Sequence, residues 1–314
     1  MIWPWYGPSM THRPPQATAP PGPPPADWLI DADLLRALLH GQHPDLAGLP
    51  LALADSGWDN QMWRLGPDLA LRLPRRAASA PLISHEQTWL PMLAPRLPLP
   101  VPAPLRVGRP SALFPAPWSV LPWLRGQPAD MAPPPEDAAA AALVAFLAAL
   151  HQPAPAAAPV NPFRGVALAA RAAVCEQRMA SLVEWSNLVT PAVSQAWEAA
   201  LAAPLDGPPT WIHGDLHPLN LLVHGGALSA VIDWGDMAQG DPATDLAAIW
   251  MLLDSPAARS AAMQSYPAPS PATWARARGW AVMFGVFLAH SGQTGATRVS
   301  AVGARTLARL DADG

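Results

Sequence analysis

The sequence predicts an α+β fold with two lobes, a small antiparallel β-rich lobe followed by a larger helical lobe. Short apolar runs separated by turns occupy the first third of the 314 residues, and alanine-rich segments with helical spacing occupy the rest. Charge changes at the same place, because residues 60–125 carry eight Arg and two acids, whereas residues 179–258 carry nine carboxylates and no Arg. We therefore expect a β-rich domain over residues 28–124 and a helical domain over residues 125–314.

The β-rich domain is expected to follow a disordered tail. Residues 1–27 include nine Pro and show no hydrophobic period, which is typical of extended or disordered chain. The folded pattern begins with a helix at 31–40, where leucines recur on one face. Apolar runs between turns then predict an antiparallel meander, followed by a helix, an irregular proline-rich stretch and one more strand. In order, these segments are 51–54, 61–65, 69–73, 84–93, 95–104 and 118–123.

The second domain is predicted to be mainly helical. Its helix candidates are 135–151, 166–180, 191–202, 242–253 and 273–289. One strand-like pair interrupts them, 221–223 and 228–232, joined by the turn sequence HGGA.

Composition excludes several classes of protein. All nineteen basic residues are Arg, which excludes mechanisms that need a lysine, such as Schiff bases and the Walker A loop. Cys175 is the only cysteine, so intramolecular disulfides and cysteine-rich zinc sites are excluded. The net charge of −4 argues against nucleic acid as a partner. No apolar run reaches the ~20 residues of a membrane span, and no targeting segment is visible, so we expect a cytoplasmic protein.

Ionisable residues are densest at 211–245, which read WIHGDLHPLNLLVHGGALSAVIDWGDMAQGDPATD. Burying several carboxylates together is costly unless they are neutralised or bind a metal ion. In a chain with only 13% charged residues, this cluster therefore indicates a functional site. Asp and Asn side chains are hard oxygen ligands suited to Mg²⁺, and an Asp that binds no metal is able to accept a proton from a hydroxyl group.

Two segments of this cluster carry a resemblance to a known family. HGDLHPLN at 213–220 resembles the catalytic loop of the aminoglycoside phosphotransferase family, and IDWGD at 232–236 resembles its metal-binding segment. The resemblance implies a protein-kinase-like fold with a nucleotide held between the two lobes. It implies that Asp215 is the catalytic base, and that Asn220 and Asp233 hold Mg²⁺ ions bridging the phosphates.

Supporting roles are expected for three residues of the helical domain, of which the resemblance assigns only the first. His213 would be structural and orient the loop. Asp245 is expected either to brace the loop through its backbone or to be simply solvated. Asp241, which precedes Pro242, suits a helix N-cap.

The resemblance extends into the β-rich domain. The loop DSGWDN at 55–60 corresponds to the phosphate-covering loop, with Ser56 and Gly57 as nucleotide-binding residues. Arg72 occupies the strand position at which the family usually has a Lys, and it keeps the positive charge. Glu86, in the following helix, is the candidate partner that positions Arg72.

The strand at 118–123 would supply the hinge that meets the nucleobase, with Leu121 and Trp123 as nucleotide-binding residues. Arg75 and Arg76 are expected either to be solvated or to face phosphate. The basic first lobe suits an anion, and the acidic second lobe suits metal ions or a cationic substrate.

The resulting functional hypothesis is a small-molecule kinase that uses Mg²⁺ and ATP or GTP. Its acceptor would be a hydroxyl of an aminoglycoside or another amino alcohol. Two alternatives remain open at this point. The missing Lys and the glycine-poor loop favour a non-catalytic nucleotide-binding regulatory protein of the same fold. His213, Asp215 and His217 superficially resemble the metal cluster of a hydrolase.

Overall fold

The computed structural model describes residues 24–267 and 269–314, so most of the predicted tail lies outside the described residues. The described chain forms two compact units, residues 24–125 with 230–236 and residues 126–229 with 237–314. The segment 230–236, which the sequence boundaries assign to the helical domain, belongs to the first unit. At the end of the predicted tail Asp27 is held in place, because its amide donates to Arg75 O and its carboxylate accepts from Ala77 N, each at 2.8 Å.

The first unit is an antiparallel sheet with two helices. Its elements are α1 (Ala32–Gln42), β1 (Leu51–Ser56), β2 (Asn60–Leu65), β3 (Leu69–Pro74), α2 (Ala80–Leu93), β4 (Arg106–Gly108) and β5 (Trp118–Pro122). The strands lie in the order β1-β2-β3-β5-β4, so β3 is the central strand. Asp31 caps α1 by accepting a hydrogen bond from Leu34 N at 2.9 Å.

A single apolar core holds this unit together. Leu35 and Leu38 of α1 pack in one buried cluster with Leu71 of β3 and Trp118 of β5. Gly108 of β4 is required by this packing, because a Cβ atom there would lie 2.0 Å from the Trp118 ring. Since β3 is central and buried on most of its length, a polar side chain on it must find partners inside the fold.

The second unit consists mainly of helices with short strands. It contains β6 (Gln127–Pro128), α3 (Glu136–Leu150), α4 (Ala172–Trp185), α5 (Pro191–Ala202), β7 (Thr210–Ile212), β8 (Leu221–His224), β9 (Ala227–Val231), β10 (Ala238–Gly240), α6 (Ala243–Leu246), α7 (Ala248–Leu252), α8 (Pro256–Ser265), α9 (Pro271–His290) and α10 (Thr297–Ala312). The last two residues of β9, 230 and 231, belong to the first unit. β10 pairs antiparallel with β7, and β8 pairs antiparallel with β6.

Helix α9 forms the centre of the second unit. It is apolar around most of its circumference, which is the pattern of a helix buried on all sides. Helices α5 and α10 pack against it. Ser270 caps its N-terminus by accepting from Thr273 N at 2.9 Å.

The α+β class and the antiparallel sheet predicted from the sequence are confirmed. Several boundaries differ. The helix predicted at 242–253 is two short helices, α6 and α7, and the helix predicted from residue 166 begins at Ala172 after a 3₁₀ turn. The strands β4, β6, β7 and β10 are not predicted from the sequence, because two or three residues are too short to show a period. Helices α8 and α10 are not predicted either.

Candidate active site

The loop that carries the predicted base, residues 213–220, connects β7 to β8 and is held by Asp245. Each oxygen of the Asp245 carboxylate accepts one hydrogen bond from the backbone of the loop. Oδ2 accepts from His213 N at 2.6 Å, and Oδ1 accepts from Gly214 N at 2.9 Å. Gly214 has φ +84°, in the left-handed region that favours glycine. The side chain of Asp245 is fully buried. Its carboxylate therefore sets the backbone of the loop immediately before Asp215.

Two further side chains hold Asp245 in position. Nε2 of His151 lies 3.3 Å from Oδ2 of Asp245, and the Tyr266 hydroxyl lies 2.8 Å from Nδ1 of His151. Burial, together with the charges of Asp245 and Asp241, raises the pKa of the Tyr266 hydroxyl, which therefore stays protonated. The loop is thus braced through a buried chain of hydrogen-bonding groups.

Asp215 is almost completely buried, and each of its carboxylate oxygens has a different neighbour. Oδ1 accepts a hydrogen bond from Nη2 of Arg164 at 2.9 Å. Oδ2 lies 3.3 Å from Nε2 of His217. Burial alone would raise the pKa of the Asp215 carboxyl, but His217 and Arg164 outweigh it and hold the pKa well below its ordinary range. Asp215 is therefore ionised at neutral pH, as a proton acceptor must be.

Arg164 is a residue that the sequence analysis does not identify. Its side chain is fully buried, and its guanidinium also lies over the Phe284 ring, 5.2 Å from the centroid. Its position follows from Gly165, where a Cβ atom would lie 2.7 Å from the Cα of Gly240. That close approach of two backbone segments brings the chain before Gly165 against β10. No motif surrounds Arg164, so only the fold shows its connection to Asp215.

Asn220 lies at the far end of the same loop. Its side-chain nitrogen donates to the carbonyl oxygen of Asp215 at 2.9 Å, and its amide nitrogen donates to His217 O at 2.9 Å. The side-chain nitrogen is thus committed to the loop, which leaves the amide oxygen as the group of Asn220 that suits a hard cation. Within the second unit the structure therefore brings together His213, Asp215, Asn220 and Asp245.

The first unit brings together Arg72, Glu86 and Asp233, three residues that are expected to bind nucleotide or metal. Arg72 lies on β3, opposite Met62 of β2 and Ser119 of β5. Its Nη2 donates to Oε1 of Glu86 on α2 at 2.9 Å and to Oδ1 of Asp233 at 3.0 Å. Burial raises the pKa of the Glu86 carboxyl, and the Arg72 charge opposes that rise. Asp233 has φ +62°, the only non-glycine residue in the described chain with a positive φ.

The loop between β1 and β2 is held by polar contacts. The carboxylate of Asp59 accepts hydrogen bonds from the Arg76 guanidinium and the Ser79 hydroxyl. Arg75 N donates to Asp59 O at 2.7 Å, and its guanidinium donates to Gly57 O at 2.6 Å. Arg75 and Arg76 thus both help to hold this loop.

Ser56 and the two hinge residues occupy different environments. Ser56 is exposed at the end of β1. Leu121 is buried in β5 at 1% exposure. Trp123 is half-buried, its backbone amide donates to Asp68 O at 2.8 Å, and the Arg64 guanidinium lies 4.2 Å from its ring centroid.

The described residues contain no group of three His, Cys, Asp or Glu side chains arranged to hold a metal ion. This contradicts a hydrolase centre built on His213, Asp215 and His217. Nδ1 of His213 instead accepts from Asp215 N at 3.2 Å, so this nitrogen orients the loop. The amide oxygen of Asn220 in the second unit and the carboxylate of Asp233 in the first unit are each oxygen donors of the kind that Mg²⁺ prefers.

Comparisons with known proteins show what the chain is similar to. The sequence model of the phosphotransferase enzyme family matches residues 51–280. No curated protein matches the chain. No helix in the described part of the chain is long and apolar enough to cross a membrane.

Three solved structures illustrate the structural likeness. The GDP and kanamycin complex of APH(2")-IIia is 18% identical with a TM-score of 0.63, over 89% of this chain and 99% of that chain. The macrolide 2'-phosphotransferase MphH from Brachybacterium faecium is 28% identical with a TM-score of 0.56, over 88% of this chain and 98% of that chain. The streptomycin–ATP complex of APH(2")-IIa is 16% identical with a TM-score of 0.56, over 83% and 91%.

Proposed function

The chain belongs to the phosphotransferase enzyme family, and we propose that it transfers the terminal phosphate of ATP or GTP to a hydroxyl group of a small molecule. The observation that carries this proposal is the environment of Asp215. Its carboxylate is buried and ionised, with one oxygen bound to Arg164 and the other beside His217. A carboxylate held in this way serves as a general base for a hydroxyl proton.

The proposed reaction needs little covalent chemistry from the protein. The acceptor oxygen attacks the terminal phosphorus, the bond from that phosphorus to the bridging oxygen breaks, and the nucleoside diphosphate leaves. Asp215 takes the proton of the acceptor hydroxyl through its carboxylate. Arg164 and the Asp245-braced backbone keep that carboxylate in place, so the acceptor meets a base that needs no rearrangement.

The nucleotide would be bound mainly by residues of the first unit. Arg72 supplies positive charge for the phosphates, and Glu86 orients it. Ser56 and Gly57 lie on the loop that would cover the phosphates, and the backbone around Leu121 and Trp123 would meet the base. Asn220 and Asp233 would hold Mg²⁺, which when bound neutralises the charge that develops on the transferred phosphate.

We propose an amino alcohol as the acceptor class. Residues 179–258 contain nine carboxylates and no Arg, but Arg residues from outside this segment pair with five of the nine. The choice of acceptor class therefore rests on the similar solved structures. Solved structures with the same fold include complexes that contain kanamycin and streptomycin. The 28% identical neighbour is a macrolide 2'-phosphotransferase, so the acceptor screen should include macrolides.

Thermal melting with ATP and with GTP, each with and without Mg²⁺, tests the nucleotide site. A ligand at 100 times its Kd adds about 2.7 kcal/mol of stability, which shifts the Tm of a chain this size by several degrees. We expect a Mg²⁺-dependent shift with at least one nucleotide. The absence of a shift with both would contradict the proposal.

The alternative is a nucleotide-binding regulatory protein of the same fold without catalysis. The absence of Lys and the single Gly in the 55–60 loop favour it. The buried, ionised Asp215 counts against it, because a protein that only binds has no need of a base. Incubation with nucleotide, Mg²⁺ and a library of hydroxyl compounds separates the two. Nucleotide binding without any phosphorylated product would support the alternative.

A further inference from the structure

Arg72 joins two carboxylates of the first unit, those of Glu86 and Asp233, through one nitrogen atom. Its Nη2 lies 2.9 Å from Oε1 of Glu86 and 3.0 Å from Oδ1 of Asp233. All three side chains are at least nine-tenths buried. One of these carboxylates, Asp233, is also the proposed ligand of Mg²⁺. A Mg²⁺ ion bound to Asp233 would therefore compete with Arg72 for the same carboxylate.

We propose that Arg72 is a latch on the metal site, which keeps Mg²⁺ out of the nucleotide-free chain and releases Asp233 when nucleotide phosphates arrive. The inference rests on the proposed function, because it takes Asp233 as the metal ligand. It adds an order of binding, in which the metal ion enters with the nucleotide and not before it.

Electrostatics supports exclusion of the metal from the nucleotide-free chain. A divalent cation at Asp233 would lie close to the guanidinium, and the two positive charges repel each other strongly in a buried environment. Arg72 is shared between Glu86 and Asp233, and the one carboxylate of Asp233 offers such an ion little compensation for the water that it must lose. The metal therefore needs a second source of negative charge.

The donor inventory of Arg72 explains how phosphate would open the latch. Arg carries five N–H donors, and in the described chain Nε of Arg72 is buried without a hydrogen-bond partner. A buried donor of this kind is costly unless a ligand supplies an acceptor. A phosphate oxygen would satisfy Nε while Glu86 retains its bond to the guanidinium.

This arrangement makes the affinities for metal and nucleotide depend on each other. Phosphates that draw Arg72 away from Asp233 free the carboxylate for Mg²⁺, and Mg²⁺ at Asp233 frees Arg72 for phosphate. By linkage, each ligand must raise the affinity of the other by the same factor.

Binding of Mn²⁺, measured by electron paramagnetic resonance without nucleotide, tests the latch directly. The informative variant is Arg72→Met/Glu86→Gln, which removes the guanidinium and leaves no unpaired carboxylate buried at position 86. We expect this variant to bind Mn²⁺ at least about tenfold more tightly than the wild type, within the usual range of coupling between two sites. Adding Asp233→Asn should abolish the gain. The matched control is Arg106→Met, which removes an exposed Arg of the same unit and should leave Mn²⁺ affinity unchanged.

Equal Mn²⁺ affinity in the wild type and the Arg72→Met/Glu86→Gln variant would overturn the latch, and so would a gain that survives Asp233→Asn. A second arm measures ATP and GTP binding by calorimetry with and without Mn²⁺. If the wild type binds neither nucleotide, the proposed function fails, while the nucleotide-free Mn²⁺ arm still decides the latch. If nucleotide binds and Mn²⁺ leaves its affinity unchanged, the latch fails and the nucleotide site stands.

Discussion

The guanidinium of Arg164 and the carboxylate of Asp215 form a buried ion pair, with Nη2 and Oδ1 2.9 Å apart. The two residues are 51 positions apart in the sequence. Asp215 belongs to a recognisable motif and Arg164 does not, yet the charge state and the orientation of the motif residue depend on Arg164.

Removing one partner of this pair should destabilise the protein strongly. Arg164→Met leaves the Asp215 carboxylate buried without its cation, and we expect the free energy of unfolding in urea to fall by about 3–5 kcal/mol. Arg164→Met/Asp215→Asn leaves no unpaired charge and should recover most of the loss. Arg125→Met is the control, because Arg125 and its partner Asp68 are both about 70% exposed and such pairs contribute little. Equal losses in the single and double variants would contradict this account.

Asp245→Asn should loosen the loop that carries Asp215. A carboxylate offers one oxygen to each of His213 N and Gly214 N, whereas an amide offers one oxygen and one NH₂ group that faces a backbone donor. Leaving one buried N–H unsatisfied costs about 1–3 kcal/mol. Hydrogen exchange read by mass spectrometry should be faster at these two amides. Exposed Asp311→Asn is the control, and unchanged exchange in Asp245→Asn would show that the carboxylate does not hold the loop.

The residues of the two motifs were predictable from the sequence because their chemistry and their spacing lie within short segments. The contact of Asp245 with the loop was foreseeable as one of two alternatives, since it lies one helical turn beyond Asp241. Arg164 was not foreseeable, because the approach of Gly165 to Gly240 depends on the packing of distant segments. The roles of Arg75 and Arg76 were undecidable for the same reason. Nothing near them in sequence indicates that Asp59 and Gly57 fold back to meet them.

The fold class followed mainly from the longer apolar runs. The strands of the meander and helices such as α5 lie close to their predicted positions because their apolar residues repeat with a clear period. Strands of two or three residues show no period. Segment 230–236 was assigned to the helical domain by its place in the chain, while its packing assigns it to the first unit.

Asp59→Ala should weaken nucleotide binding without unfolding the protein. The substitution removes the hydrogen bonds of Arg76 and Ser79 to the 55–60 loop. Nucleotide binding must then also order that loop, and the lost conformational entropy weakens the affinity. We expect the Kd for the preferred nucleotide to rise about tenfold, equivalent to about 1.4 kcal/mol. Asp68→Ala, in the exposed turn between β2 and β3, is the control. An unchanged Kd in Asp59→Ala would mean that the contacts of Asp59 with Arg76 and Ser79 do not affect nucleotide binding.

Cys175 should make stability depend on pH in the alkaline range. It is fully buried in α4, and this burial raises the pKa of its thiol far above the ordinary value. Above about pH 8.5 the unfolded chain loses the thiol proton and the folded chain keeps it. Stability is therefore fully present below that pH and falls above it, by up to about 1.4 kcal/mol per pH unit.

Urea unfolding of the wild type and Cys175→Ala between about pH 8.5 and 9.5 measures this effect, a window below the ordinary pKa of Tyr. The two free energies should converge as the pH rises, because only the wild type loses the thiol contribution. Parallel curves would contradict the assignment. A disulfide-exchange reagent should label the native thiol only at the rate at which the protein opens.

Transfer of ³²P from the terminal phosphate of ATP or GTP to a hydroxyl compound, compared between the wild type and Asp215→Asn, tests the central claim most directly. We predict a labelled phosphoester with the wild type and none above background with Asp215→Asn. The variant should retain the Mg²⁺- and nucleotide-dependent rise in Tm, because Asp215 is the base and not a nucleotide ligand. Turnover by Asp215→Asn comparable to that of the wild type would remove Asp215 from the role of base and contradict the mechanism proposed here.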